Sequence, residues 1–475
     1  MRLGLMFFTN FPITFDNKNW YSHLFPKFFL QHLQNAPGFE LDAFIEAHQN
    51  TGQTSIRKNT KKHAPIFENN EHVPWCNNGF YLEERPLFTL DPLFHAGAYY
   101  VQEASSMFLD FLVKKIFPER KNMRVLDLCA APGGKSTLLA SLLDESSLLL
   151  SNEVIRSRAS ILEENVVRWG YTNNWVCSND PKEIGKLKGY FDLIVVDAPC
   201  SGSGLFRKDA RAINEWSEAN VQLCSQRQKR ILADVWDALK ENGVLIYATC
   251  SYSEEEDEAI LVWLQEEFSV TGFQIDVPYE WGIIQSKVKE LMGYRFYPNR
   301  INGEGFFIAA IQKKEALATI KFPKQKSLHD EKQFNASKHL LTQKDFHCVQ
   351  LPSREFHAID VVHEQDYYLL QQIVYLRKTG IELGSPTAKE WLPSHELALS
   401  IDRNTSIPSI DLNKEQALRF LKKESFEIEN LPKGWLLFTY QGLGLGWIKS
   451  LGNRFNNYLP KHWRIRMEIP DEDWM

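Results

Sequence analysis

Between residues 121 and 268, short apolar runs alternate with longer amphipathic stretches at near-regular intervals. Residues 124–130 (RVLDLCA) are mostly apolar, as in a strand buried on both faces of a parallel sheet. A glycine-rich turn follows, then a helical stretch over 136–143. The alternation repeats: 148–153 predicts a strand, 157–169 a helix and 175–178 a strand. Residues 192–197 (DLIVVD) predict a strand, 216–240 mostly helix, 244–250 (VLIYATC) a strand and 254–268 a helix. Such a succession predicts an α/β fold whose parallel sheet is covered on both faces. Two later strand candidates, 294–297 and 305–311, are separated by Asn and Gly and predict an antiparallel hairpin at one end of the sheet.

The flanks are less regular. The first ninety or so residues are rich in Phe, Asn and His, with a predicted helix around 21–35 and a basic run over 57–63 (RKNTKKH). Turn formers, Asn77-Asn78-Gly79 and Asp91-Pro92, interrupt them. Residues 316–345 hold many Lys, Gln and Ser and few large apolar side chains, the composition of a linker. Residues 346–475 carry helical and strand patterns of their own. The expected division is an N-terminal domain over 1–95, the regular α/β domain over 96–315, a linker over 316–345 and a C-terminal region over 346–475. A chain cut near Lys324 is expected to leave a folded α/β core.

Composition narrows the function. The chain has 475 residues, 44 % of them hydrophobic and 24 % charged, ordinary for a folded protein. Its 54 Lys and Arg against 60 Asp and Glu exclude a protein that coats nucleic acid indiscriminately, but local basic patches remain open. No stretch approaches the about 18 apolar residues of a membrane span. The N-terminal MRLGLMFFTNFP has no cleavage-site pattern and reads as part of a domain. Seven scattered cysteines, with no Cys-x-x-Cys pair, predict neither a zinc site nor a disulfide framework. Reduced thiols suit the cytoplasm.

Three constellations carry chemistry. The first, Asp127-Leu-Cys-Ala-Ala-Pro-Gly-Gly-Lys135, joins a strand to a helix, where free N–H groups and the helix dipole suit a polar or anionic group. A phosphate loop needs Gly where Cys129 stands, and G-x-G-x-x-G is absent. Glu153 lies at the end of the next strand, where an acid accepts hydrogen bonds from both ribose hydroxyls. Together these predict a nucleoside-type cofactor; the glycines alone also fit a plain α/β core turn. The second constellation, Asp197-Ala-Pro-Cys-Ser-Gly-Ser-Gly204, and the third, Ala248-Thr-Cys-Ser-Tyr-Ser253, follow two other strands at the same carboxyl edge. Cys200 and Cys250 then open onto one pocket, or are two simply buried cysteines.

LDLCAAPGGKS, VVDAPCSGSG and YATCSYSEEEDE, in this order and spacing, resemble the Nol/Nop/Sun family of RNA cytosine-5 methyltransferases. Residues 97–107 (GAYYVQEASSM) resemble the segment that leads into the family's catalytic fold, and the likeness spans most of residues 20–315. Residues 434–463 are similar to the tail of the bacterial F-type ribosomal RNA methyltransferases, which ends in a PUA-like RNA-binding domain. The resemblance implies a Rossmann-like class I methyltransferase domain, a small N-terminal α+β RNA-binding domain and a C-terminal PUA-like β-barrel region. It implies S-adenosylmethionine as cofactor. Cys129, Ala130, Ala131, Pro132, Gly133, Gly134 and Lys135 would cradle its amino-acid end, Glu153 its ribose and Asp180 its adenine. Asp197 would sit at the junction of cofactor and target base, Cys250 would be the nucleophile and Cys200 would help release the product. Two positions depart from the pattern: Pro181 follows Asp180 where Gly is usual, and Asp257 replaces the usual Asn.

The residue types also suit the reaction. Carbon 5 of cytosine is a poor nucleophile until a thiolate adds to carbon 6 and turns the ring into an enamine. An acid beside ring nitrogen 3, here Asp197, stabilises the developing charge. Afterwards the carbon-5 proton leaves and the enzyme–base bond breaks, a step suited to Cys200. A paired base must first be flipped from its stack. Lys135 either contacts the active site or simply begins a helix; Arg207 and Lys208 touch RNA phosphates or make surface salt bridges. The run 254–258 (EEEDE) reads as the acidic first turn of a helix, without a catalytic part.

Residues 431–467 contain Lys433, Lys449, Arg454, Lys461, Arg464 and Arg466 and no acid, with Trp435, Tyr440, Trp447, Phe455, Tyr458 and Trp463 interleaved. This suits RNA backbone contact and base stacking, or the core of a small β-barrel. The expectation is a cytoplasmic, S-adenosylmethionine-dependent RNA (cytosine-5)-methyltransferase acting on small-subunit ribosomal RNA through a covalent Cys–cytosine adduct, without metal or membrane. The same reaction on transfer RNA, and a non-catalytic RNA-binding assembly factor, are the alternatives.

Overall fold

The computed structural model describes residues 24–316, 319–323, 331–350 and 355–470. The N-terminal dodecapeptide and the start of the predicted helix over 21–35 lie outside them. The central strands are β1 (Arg124–Asp127), β2 (Leu148–Asn152), β3 (Asn174–Cys177), β4 (Phe191–Asp197), β5 (Leu239–Thr249), β6 (Leu291–Phe296) and β7 (Phe306–Lys313). They lie in the order β6-β7-β5-β4-β1-β2-β3. Neighbours among β1 to β5 are parallel; β7 runs antiparallel to β5 and to β6, the hairpin the sequence predicts. The Rossmann-like α/β fold is thus present.

Alternation along each strand fills two apolar layers. Leu126, Ile194, Tyr247 and Phe307 face one layer; Val125, Val195, Ile246 and Ile308 face the other. β5 begins at Leu239, before its apolar run, because Asn242 takes φ 61° and the register shifts against β4 without ending the pairing. The preceding α-helix accordingly stops at Val235.

The N-terminal sheet pairs Thr54–Lys58, His72–Val73, Cys76–Leu82 and Tyr99–Val101, so it continues past residue 95. Its basic run is not the exposed patch that its composition suggests. Arg57 is buried and donates from Nε to Gln102 Oε1 at 2.8 Å and from Nη2 to Thr137 Oγ1 at 2.6 Å. Lys62 is buried too, donating to the carbonyls of Ala96 at 2.8 Å and Arg168 at 2.7 Å. These cations fasten the N-terminal sheet to the helices that cover β1 and β2.

The C-terminal region is not an appended module. Leu376–Lys378 adds an antiparallel strand to β3, and Tyr368 and Leu370, from the helix Glu364–Ile373, enter the apolar layer beneath the sheet. Asp366 of that helix receives Arg124 in a two-pronged pair, Nε–Oδ1 2.8 Å and Nη2–Oδ2 2.7 Å. A chain cut near Lys324 would lose this added strand and these buried side chains. Within the span predicted as linker, residues 331–337 form a helix, and Leu340 and Leu341 pack into the core of the sheet that holds Phe346–Gln350. A second small sheet holds Ser409–Asp411, Gly434–Tyr440, Leu443–Ser450 and Phe455–Asn457. Trp447 of this sheet is buried in the cluster that holds Phe346 and Ala358, while Tyr440, Phe455 and Trp463 pack against a second cluster that holds Phe420, Phe438 and Ile448.

Asp366 is 1 % exposed, so removing it leaves Arg124 with an uncompensated charge. Asp366→Ala is expected to cost about 3–5 kcal/mol of stability, read by urea denaturation at pH 7. Burial pushes the Asp366 carboxyl up, but hydrogen bonds from His363 and Arg124 outweigh it and hold the carboxyl below its ordinary value. Its stabilisation is therefore full above the ordinary value of about 4 and is lost as pH falls through the depressed one. The wild-type advantage over the variant should shrink along that acid limb.

Candidate active site

The loops after β1 to β5 leave the sheet at its carboxyl edge, around the reversal of strand order between β1 and β4. The first loop is pinned by its neighbours: Leu128 N–H donates to Val195 O at 2.9 Å and Ala130 N–H to Asn152 O at 2.8 Å. Gly133 takes φ 117°, which a side chain would strain, and the helix Gly134–Leu142 starts directly after it without a side-chain cap. The first-turn amides are available to a ligand. Cys129, Ala130, Ala131, Pro132, Gly133, Gly134 and Lys135 form this turn.

Asp127 lies buried below the turn, a group the sequence reading did not single out. Ser136 donates to its Oδ2 at 2.7 Å, while Oδ1 has no partner among the described residues. Burial pushes its carboxyl up to about 7. Burial also pushes the Cys129 thiol up, which keeps it unreactive.

Glu153 ends β2 and is 3 % exposed. Its Oε1 accepts from Ile155 N–H at 2.9 Å; Arg158 lies 3.5 Å from Oε2 and donates to Ala131 O at 2.9 Å. Carboxylate and turn are thereby tied together, with acceptor capacity left on Oε2. Asp180, beyond β3, is exposed and caps the short helix Pro181–Ile184, accepting from Lys182 N–H at 3.0 Å.

β4 ends at Asp197 and β5 at Thr249, and the loops beyond them bring Cys200 and Cys250 face to face, Sγ to Sγ 2.8 Å. Both are free and half-buried. The Cys200 thiol is held well above its ordinary value, first by its hydrogen bond to Cys250 and next by burial. Cys200 therefore keeps its proton at neutral pH and shares a hydrogen bond with Cys250 Sγ. Lys135 reaches Asp197, Nζ–Oδ2 2.7 Å, and stands over the Phe306 ring at 5.0 Å. Burial works against its charge, but Asp197 and, more weakly, Asp127 and Cys250 outweigh burial and keep the ammonium charged. Lys135 thus lies in the first turn of the helix Gly134–Leu142 and at the same time reaches Asp197.

Other expectations change. Arg207 is turned inward, Nε to Glu304 Oε2 at 2.9 Å and Nη2 to Gly303 O at 2.6 Å, and serves the fold. Lys208 is exposed, 3.8 Å from Glu304. The acidic run, read as the first turn of a helix, instead forms a separate turn over Glu254–Glu256 before the helix that starts at Glu258, and Glu256, Asp257 and Glu258 are all buried. Asp257 accepts from Thr249 Oγ1 at 2.6 Å, and Arg295 pairs with Glu258 while donating to Tyr252 O at 2.9 Å. The available signal was the serines at 201, 203, 251 and 253, a density of donors that buried carboxylates need. Among the described residues no cluster of His, Cys, Asp or Glu could hold a metal ion, and no helix is long and apolar enough to cross a membrane.

Models of known families match three segments. The model for 16S rRNA methyltransferase RsmB/F matches residues 115–312, that for the N-terminal domain of 16S rRNA methyltransferase RsmF matches 25–104, and that for the methyltransferase RsmF PUA domain matches 407–465. Ribosomal RNA small subunit methyltransferase F of Psychromonas ingrahamii is 31 % identical over 413 residues, 82 % of this chain and 84 % of that one. The chain belongs to the ribosomal RNA small subunit methyltransferase F family. The family's protein from Vibrio atlanticus is 30 % identical over 468 residues, covering 92 % and 97 % of the two chains. The solved structure of a methyltransferase homologue from Pyrococcus horikoshii superposes with a TM-score of 0.54 at 27 % identity, over 63 % of this chain and 100 % of that one. Methyltransferases F are S-adenosylmethionine-dependent enzymes with a PUA domain at the C-terminus. The uncapped helix start and the buried Glu153 fit that cofactor's carboxylate and ribose.

Because Cys250 is the leading cause that holds Cys200 protonated, Cys250→Ala should raise the thiolate fraction of Cys200. Iodoacetamide at fixed pH, followed by peptide mass spectrometry, should label Cys200 faster in that variant than in the wild type. Equal or slower labelling would show that Cys250 does not control the Cys200 proton.

Proposed function

We propose that this methyltransferase methylates carbon 5 of a cytosine in small-subunit ribosomal RNA, with Cys250 as nucleophile. The observation that carries the reading is the pair of thiols 2.8 Å apart beside the Lys135–Asp197 ion pair. Transfer to a nucleophilic oxygen or nitrogen would need no sulfur, whereas a carbon acceptor needs one to add and a second group to undo the addition.

S-adenosylmethionine supplies an electrophilic methyl group on a sulfonium. The turn 129–135 holds its amino-acid end, Glu153 accepts from its ribose and Asp180 borders its adenine. Cys250 Sγ adds to carbon 6 of the cytosine, and the electron pair of the C5–C6 bond makes carbon 5 nucleophilic. Asp197 borders ring nitrogen 3, and the Lys135 ammonium balances the negative charge that gathers there. Once Cys250 is bonded to carbon it carries no charge, and the main cause keeping Cys200 protonated is gone. Cys200 then yields its proton to water and its thiolate takes the proton from carbon 5. That C–H pair re-forms the C5–C6 double bond as the C6–S bond breaks, and Cys250 leaves as thiolate. Exposed Lys433, Arg454, Lys461, Arg464 and Arg466 supply charge for the RNA backbone, and exposed Tyr458 offers a stacking face. Lys449 is taken up by Glu390 and Trp435.

Cys250→Ala should abolish methyl transfer to 30S subunits or their RNA, read with tritiated cofactor, while calorimetry finds cofactor affinity near normal. Cys200→Ala should accumulate a protein–RNA adduct that survives denaturing electrophoresis. Turnover by the first variant, or an equal adduct from both, would overturn these roles. Glu153→Ala should weaken cofactor binding at least about tenfold, the loss of one hydrogen bond to a charged group.

A further inference from the structure

Each reactive cysteine is followed by a serine, and both serines reach the same buried carboxylate. Glu256 is fully buried, on the single turn Glu254–Glu256 between β5 and the helix Glu258–Glu267. Its carboxylate accepts from Ser201 N–H at 2.9 Å, from the Ser201 hydroxyl, from Ser251 Oγ at 2.6 Å and from Gln228 Nε2 at 3.0 Å. Its own carbonyl accepts from Tyr247 OH at 2.7 Å, which fixes the turn against β5. Gln228 also donates to Pro199 O at 3.1 Å, on the other side of Cys200. Ser251 Oγ accepts in turn from Ser253 N–H at 3.1 Å.

The carboxylate is fully buried and takes donors from both cysteine loops, so its position helps fix where they stand, beside the direct bonds between them from Gly204 N–H to Cys250 O at 2.8 Å and from Tyr252 N–H to Ser203 Oγ at 3.0 Å. Resting on the proposed roles of Cys250 and Cys200, we infer that Glu256 is a positioning residue that sets the thiol–thiol approach, and so couples bond formation at one sulfur to release at the other. A glutamine is a poor substitute. It keeps one acceptor oxygen and presents an NH₂ that cannot accept from Ser201 N–H or Gln228. A separate stabilising role is already filled next door by Arg295 with Asp257 and Glu258.

The two halves of the clamp can be loosened separately in the full-length protein. Ser251→Ala removes the hydroxyl bond from the Cys250 loop to Glu256, with the longer 3.4 Å contacts to Ser201 and Ser203, and should lower the yield of covalent adduct together with turnover. Ser201→Ala removes the hydroxyl bond from the Cys200 loop to Glu256 while its N–H bond remains, and should slow release, so that adduct accumulates as turnover falls. Glu256→Gln should lower kcat at least about tenfold with cofactor affinity unchanged, the effect of losing one hydrogen bond to a charged group. It should also slow oxidative closure of Cys200 and Cys250 by a mild disulfide reagent, a readout of sulfur approach that needs no RNA. Normal kcat and normal closure in Glu256→Gln would overturn the inference. The same adduct level from both serine variants would overturn it as well, even if Glu256→Gln is too unstable to assay. Cys250→Ala is the control for the underlying reading: if it still turns over, the cysteine roles fail, whereas a dead Cys250→Ala beside normal clamp variants sinks only the clamp.

Discussion

A carboxylate inside a protein must have its oxygens filled by donors, and here the donors come from segments remote in sequence. Asp366 takes Arg124 and Tyr190 across more than a hundred residues, Glu304 takes Arg207, and Glu256 takes Ser201 from 55 residues away as well as the nearby Ser251. Each such group is costly alone and strongly directional once satisfied. The carboxyl edge of the sheet is therefore held not by the strands alone but by acids behind the loops. Thr249, Ser251 and Tyr252, the residues around Cys250, are held by Asp257, Glu256 and Arg295 respectively.

The same arrangement separates two kinds of charge at the edge. The acids behind the loops are capped by hydroxyls, amides and one arginine, and none faces the cleft alone. In front, Lys135 and Asp197 stand as a pair beside the two sulfurs. The Cys200 thiol is held above its ordinary value first by its hydrogen bond to Cys250, so the state of one sulfur bears on the other. This reciprocity needs close approach, and close approach needs rigid loops.

Much of this was legible in the residues. The apolar runs 124–130 and 192–197 became β1 and β4 because a doubly covered parallel strand has no solvent face to interrupt it. The turn before Lys135 and the two cysteine loops fell at one edge because parallel strands end together. Periodicity reports burial, but not what a buried charge meets. The burial of Glu256 and Arg57 could not be read from the charged runs that hold them, since Ser201 and Thr137, a partner of each, are far away in the chain. Residues 376–378 are too short and too polar to declare themselves a strand, and their place follows from the open edge of β3. The tail aromatics were ambiguous for the opposite reason: Trp447 and Trp463 serve packing with the residue types that RNA stacking also uses.

The strand that closes β3 has a consequence for how the chain comes into being. Val176 waits for Lys378, some two hundred residues further on, to be covered. During synthesis the nascent sheet has β1, β2 and β3 in place while the edge of β3 presents unpaired amides and carbonyls to its surroundings. Closing so long a loop carries an entropic toll that no local contact offsets. Folding of the methyltransferase unit is thus coupled to completion of the C-terminal region, and the interval before closure is when the nascent protein is most exposed to mispairing with another chain.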